Sequence, residues 1–324
     1  MGHARADTRI GVARIGAAAL LLALLGACEQ GLQTSLTPPA RPDGLVPTEP
    51  VVFAPSAKSQ DLARYYEKVQ NDLLTRGLLR TDGGGPDTPY DSEDLVRNFE
   101  VIAFFDEYSP AAVPLSSRRA SGRLSRWSGP VRISTEFGAS VPLERREQDA
   151  RNVSNFADRL ARLTKHPITA SNRNPNFHVF VAGEDDTEFV QQRLKQIIPS
   201  ISANELALFD NLPRSFYCLV VAVSANGAPQ NYTRAVALIR AEHPDLVRLS
   251  CIHEEISQGL GLPNDSPAAR PSIFNDDDEF ALLTSHDEKL LTMLYDPRLR
   301  QGMTADQARP VSEVIARELM GPSS

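Results

Sequence analysis

Glu254-Glu255-Ile256-Ser257-Gln258-Gly259-Leu260-Gly261-Leu262-Pro263-Asn264-Asp265 is the stretch on which the fold turns. Upstream, Pro244 and Asp245 open a helix that carries Cys251 to Leu260. Proline loses no hydrogen bond in a first helical turn, and an acid there meets the positive end of the helix dipole. Glu254 and Gln258 stand four residues apart and point the same way from that helix. Gly261 is placed to turn the chain back, which can return Asn264 towards the same side. Glu254 and Glu255 are adjacent on the helix rather than stacked, so the two-carboxylate site of a glycosidase is not implied without a partner from elsewhere.

Outward from this helix, strand and helix patterns mix. Trp127, the only tryptophan, precedes Val131, Ile133, Thr135 and Phe137, which alternate as a strand should. Val153, Phe156, Leu160 and Leu163 recur at helical spacing within 149–165. Residues 177–181 read as a strand, Phe189, Leu194 and Ile197 as a helix, and Ser202 with Glu205 as the capping box of another. The continuous apolar run 217–223 is typical of a buried strand, Ala225-Asn226-Gly227 is turn chemistry, and 232–239 reads as a further strand. After the motif helix, Thr284 and Asp287 cap a helix through Leu290, Leu291 and Leu294 to Tyr295. Nearer the N-terminus, Leu62, Tyr65, Tyr66, Val69 and Leu73 keep a helical period as far as Gly77, and 91–105 reads as a second helix. This order predicts an α/β or α+β domain with a mixed sheet.

The spacing from Glu254 to Asn264 resembles the metzincin motif H-E-x-x-H-x-x-G-x-x-H. In that register Glu254, Gln258 and Asn264 stand at the three zinc-binding histidines, Glu255 at the general base and Gly261 at the turning glycine. Residues 272–275 fall where metzincins place the turn beneath the metal, with Ile or Phe for its Met, and 283–295 is similar to their closing helix. The resemblance covers residues 120–296. It implies a zincin-like core with a mixed sheet and a motif helix, metal ligands Glu254, Gln258 and Asn264, and a catalytic Glu255. Ligand chemistry pulls the other way, because neutral amides are weak donors towards zinc. Asp265 or His253 would have to replace one of them, or a harder ion such as calcium or magnesium would take the oxygens. The expectation is a degenerate site without a metal cofactor; zinc or another divalent metal, and a purely structural helix, stay open beside it. Over the whole chain the sequence resembles an uncharacterised family of proteobacterial lipoproteins described as a domain of unknown function, DUF2927. The residues that carry this likeness are the same Glu-Glu-x-x-Gln-x-x-Gly-Leu-Pro-Asn-Asp stretch, 272–275 and Leu294-Tyr295-Asp296-Pro297-Arg298-Leu299.

At the N-terminus Arg5, Arg9 and Arg14 precede the apolar run 15–25 and then Gly26-Ala27-Cys28, the layout of a secretory signal too short to span a bilayer comfortably. Leu25-Gly26-Ala27-Cys28 resembles a bacterial lipobox, which implies removal of residues 1–27 and acylation of Cys28. Each buried CH2 of an acyl chain contributes roughly 0.8 kcal/mol, so two or three chains hold a domain on a bilayer. Glu29, rather than the Asp that marks inner-membrane retention in lipoproteins, follows the cysteine. The expected location is therefore the periplasmic side of the cell envelope, with the outer membrane favoured. The expected organisation is a signal peptide 1–27, a Pro-rich tether 28–57, a helical N-terminal region 58–119 and a zincin-like domain 120–324.

The chain has 324 residues, 41% hydrophobic and 23% charged, with a formal charge of -7. Loss of residues 1–27 removes three arginines and Asp7 and takes that charge to -9. Nucleic acid is not an expected partner for such a chain. With Cys28 acylated, Cys218 and Cys251 remain, 33 positions apart. In an oxidising compartment the expectation is a disulfide, the alternative being two buried thiols. The leading functional reading is an envelope lipoprotein whose zincin-like domain serves binding or assembly with an envelope protein or peptide. The alternative is a metal-dependent peptidase; a peptidoglycan hydrolase rests on location alone.

Overall fold

The computed structural model describes residues 53–106, 120–210, 212–275 and 277–321. Cys28, the leader 1–27, the tether as far as residue 52 and residues 107–119 of the expected helical region lie outside them. In chain order the elements are α1 (Ala57–Thr75), α2 (Ser92–Phe104), β1 (Phe105–Asp106), β2 (Ala120–Ser121), β3 (Arg126–Trp127), β4 (Val131–Phe137), α3 (Leu143–Thr164) and β5 (Ile168–Ala170). There follow β6 (Phe177–Ala182), α4 (Thr187–Ile197), α5 (Ala203–Asp210), β7 (Cys218–Ala225), β8 (Ala228–Arg240), α6 (Asp245–Gly261), α7 (Ser285–Leu294) and α8 (Ala305–Met320). Among the described residues no helix is long and apolar enough to cross a membrane.

The architecture is mixed α/β, as expected. In the main sheet β5, β4, β6 and β8 lie side by side and parallel, the short β3 joins the start of β8 in parallel, and β7 pairs with β8 antiparallel. β6 is central and all six of its residues are buried, which is why it reads as a nearly unbroken apolar run. On the inner face Ile133, Phe177, Val179, Ala235 and Ala237 meet Val153, Phe156 and Leu160 of α3 and Ile252, Ile256 and Leu260 of α6. On the outer face Phe180, Val236 and Leu238 meet Val190 and Leu194 of α4 and Phe209 of α5 in a smaller core. Small inward residues on β8 let α6 come close to the sheet. At Gly259 a Cβ would sit 2.5 Å from the Phe177 ring and 3.1 Å from Val220.

Two segments differ from the sequence reading. The run 217–223, taken for a buried strand, forms most of β7, which among the described residues pairs with β8 alone and leaves Val221 37% exposed. An apolar run reports that both faces of a strand are covered in part; it does not report a hydrogen-bonded neighbour on each side. α8 and the first turns of α3 have no counterpart in that reading. Residues 143–148 are Leu-Glu-Arg-Arg-Glu-Gln and offer no apolar period. α8 carries a reciprocal Thr304–Gln307 cap that could have marked it, but Pro310 inside the helix interrupts the pattern.

Candidate functional site

α6 is held at both ends. Near its start Arg248 reaches α3, with its Nε 3.0 and 2.8 Å from the two oxygens of Asp149. Its Nη1 donates to the His243 carbonyl at 2.8 Å and its Nη2 to Asp245 at 2.9 Å. Asp149 and Arg248 are both buried. Burial raises the Asp149 carboxyl against the pull of Arg248, and such a pair leaves an uncompensated charge if one partner goes. At the far end the Trp127 indole N–H donates to the Gly259 carbonyl at 2.9 Å. Gly261 then adopts φ +129, and a Cβ there would lie 2.4 Å from the Ser125 carbonyl oxygen. Only glycine meets both demands, so the expected turn forms.

The disulfide joins Cys218 of β7 to Cys251 of α6, with Cα atoms 5.9 Å apart. It brings the edge strand against the motif helix. The Cys218 sulfur and one carboxylate oxygen each of Glu254 and Glu255 lie within 4.8 Å of one another, the one such cluster of His, Cys, Asp or Glu atoms among the described residues. Because that sulfur is in a disulfide, the cluster offers two carboxylates and no thiolate.

Glu254 is half-buried, whereas Glu255, Gln258 and Asn264 are buried. The Gln258 amide faces Asp265 Oδ1 at 3.5 Å, so the Gly261 turn does bring the following segment back to the helix. Asn264 is bonded to α2. Its Nδ2 donates to the Val101 carbonyl of α2 at 2.9 Å and to the Asp265 carbonyl at 3.0 Å, and its backbone N–H reaches the Ile102 carbonyl at 3.3 Å. His253, considered as a replacement ligand, lies on a different face of α6. Its ring stacks on Phe156 with centroids 4.0 Å apart, and its Nδ1 accepts the Leu283 N–H at 3.1 Å. Burial pushes this imidazole down to about 3. It packs as a neutral group and is not part of the cluster formed by Cys218, Glu254 and Glu255.

A catalytic zinc takes three donors from imidazole, thiolate and carboxylate and keeps a water in its fourth position. The register here supplies one carboxylate and two amides, one of them clamped to α2. These residues do not fit such a centre.

The resemblance segments after α6 are joined by one carboxylate. Asp287 is fully buried. Its Oδ2 accepts from the backbone N–H groups of Ile273 and Thr284, both at 3.0 Å, and from Thr284 Oγ1 at 2.8 Å. Its Oδ1 accepts from Ser272 Oγ at 2.5 Å. The sequence marked Asp287 as a cap and 272–275 as a turn; the shared hydrogen bonds that lock one to the other are a tertiary fact. Cys28 falls outside the described residues.

Comparison with curated proteins and with solved structures gives no match. A family model described as a protein of unknown function (DUF2927) matches residues 92–313. That span runs from the start of α2 into α8 and includes the whole main sheet, α6 and the Asp287 junction. The chain belongs to the DUF2927 family.

Proposed function

We propose that this protein is a lipoprotein of the bacterial cell envelope, anchored through acylated Cys28, whose zincin-like domain binds an extended segment of an envelope protein or peptide without cutting it. The order of β4, long α3, parallel strands, antiparallel edge strand, motif helix, turn and closing helix supports a zincin-like core. The observation that carries the binding reading is the donor set: Gln258 and Asn264 are amides where hydrolysis by zinc needs stronger ligands, and Asn264 is already committed to α2. Beside the Glu254 and Glu255 carboxylates runs β7, whose outer edge carries no strand among the described residues. Backbone groups on such an edge can pair with an extended chain, and its side chains can select among chains.

Replacing Cys28 with Ser is expected to move the protein from the membrane fraction to the soluble one. Unchanged membrane retention, with no acyl mass on the parent, would remove the anchor from this reading. For the site, the Cys28→Ser protein purified without chelator is expected to hold substoichiometric zinc and to leave unstructured peptides intact. Peptide cleavage that chelator inhibits and Glu255→Gln abolishes would put the metal-dependent peptidase in place of the binding role.

A further inference from the structure

The outer face of the sheet carries a polar constellation on the side away from α6. Ile133 pairs with Phe177, Phe177 with Ala235, and Arg234 with Val223. The residues preceding the first three therefore form one row, Arg132, Asn176 and Arg234, that ends at Val223 on β7. By strand alternation this row faces away from the main core. Two strand spacings separate Arg132 from Arg234, about 10 Å between Cα atoms, a gap that two arginine side chains can close. They line an open cleft of about 680 Å³ whose eleven lining residues include these two arginines and no carboxylate.

Arg132 is set in place before any ligand arrives. Its Nε donates to the Asn174 carbonyl at 2.6 Å. The strand beneath it is pinned by Asn176, whose Oδ1 accepts the Arg132 N–H at 2.6 Å while its Nδ2 donates to the Pro130 carbonyl at 2.9 Å. Among the described residues neither terminal amino group of Arg132, nor any guanidinium nitrogen of exposed Arg234, has a hydrogen-bond or ion-pair partner. Other arginines of this acidic chain are treated differently: Arg80 meets Asp82, Asp87 and Glu279, and Arg298 meets Asp296 and Glu318. On the same face of β4 the next acid is Glu136, roughly 13 Å further along the strand. It is held by Arg193 at 2.6 Å and His178 at 2.7 Å.

We propose that this cleft binds a phosphate group. Two guanidinium ions match the charge of a phosphate dianion, and each can present parallel N–H donors to its oxygens. A single arginine already satisfies a carboxylate, so a pair without any acid favours the doubly charged group. Ser200 and Asn226 add neutral polar groups to the lining. The phosphate can sit on a small soluble ester or on a lipid headgroup, and these sources are separable.

The test uses the full chain carrying Cys28→Ser, so that an acyl anchor does not mask binding. Calorimetry with inorganic phosphate and glycerol 3-phosphate reads the soluble source; flotation with vesicles containing phosphatidic acid, a phosphomonoester, against phosphatidylcholine vesicles reads the headgroup. Arg132→Gln and Arg234→Gln are each expected to weaken binding by about tenfold or more, the usual loss for a charge-assisted hydrogen-bonding group, with thermal melting unchanged. Binding of the soluble phosphates identifies the ester; binding to phosphatidic acid vesicles alone, lost in both variants, identifies the headgroup. Absence of saturable binding to every probe, or binding that survives both substitutions, overturns the proposal.

Discussion

The two faces of one sheet handle polar groups in opposite ways. On the inner side Asp149 and Arg248 neutralise each other, Asp287 is saturated by four donors, and His253 stays uncharged between Phe156 and Leu283. The product is a fixed mount for α6, and two of the three residues at the motif's ligand positions, Gln258 and Asn264, are amides and weak metal donors. On the outer side Glu136, His178 and Arg193 satisfy one another, but among the described residues no carboxylate lines the cleft that Arg132 and Arg234 share. Buried polar groups that are fully paired specify a fold; paired charges have little left for a ligand. Unpaired cations at a surface cost the fold little and remain available to an anion.

The comparison can be broken most sharply at Asp149. Asp149→Ala leaves Arg248 buried without its main partner, and a loss of about 3 to 5 kcal/mol is expected from breaking one side of such a pair. Chemical denaturation of parent and variant measures it, and a loss under 1 kcal/mol would mean that the inner mount does not depend on that clamp. The disulfide comes next. Closing a loop of 33 residues corresponds to about 3 to 4 kcal/mol in the chain-entropy account. Reduction of the folded protein should therefore lower its melting temperature, and recovery of Cys218 and Cys251 as alkylatable thiols from oxidised protein would remove the effect altogether.

The smallest expected effect separates the two faces by pH. Burial lowers His253 from 6.5 to about 3, so between those values the unfolded chain takes a proton that the folded chain refuses. Its contribution to stability therefore falls as pH drops from 6.5 towards 3. For Glu136 burial acts upward, but the hydrogen bonds from His178 and Arg193 outweigh it and hold the carboxyl at about 2, from 4.5. Its contribution is complete above 4.5 and is lost as pH falls towards 2. His253→Gln should flatten the upper part of the stability-against-pH curve, and Glu136→Gln the lower part. Identical slopes in parent and variants would show that neither group sets its window.

The legible parts of the chain were those governed by local rules. Thr284 with Asp287 and Ser202 with Glu205 predicted caps that form, because a capping box needs only a few neighbouring residues. Phe177 to Val181 read as a strand because burial on both faces leaves an apolar run, and Gly261 read as a turn because few other residues tolerate its backbone. The Cys218–Cys251 pair was open to expectation by elimination, there being no other thiol left once Cys28 was set aside. Illegible parts depended on what lies opposite. β7 had the composition of an interior strand, and only the sheet order made it an edge.

By itself, then, the sequence determined the α/β class, the motif helix with its glycine stop, and the chemical poverty of Gln258 and Asn264 as metal donors. Tertiary structure alone decided that His253 packs on Phe156 instead of facing the carboxylates, that Asn264 is claimed by the end of α2, and that Arg132 and Arg234 share one cleft. The physical reason is range. Helix caps, turns and periodicity act over a few residues and are written in their order, whereas the partner of a buried polar group or an exposed cation is set by strand register and helix packing across a hundred residues or more.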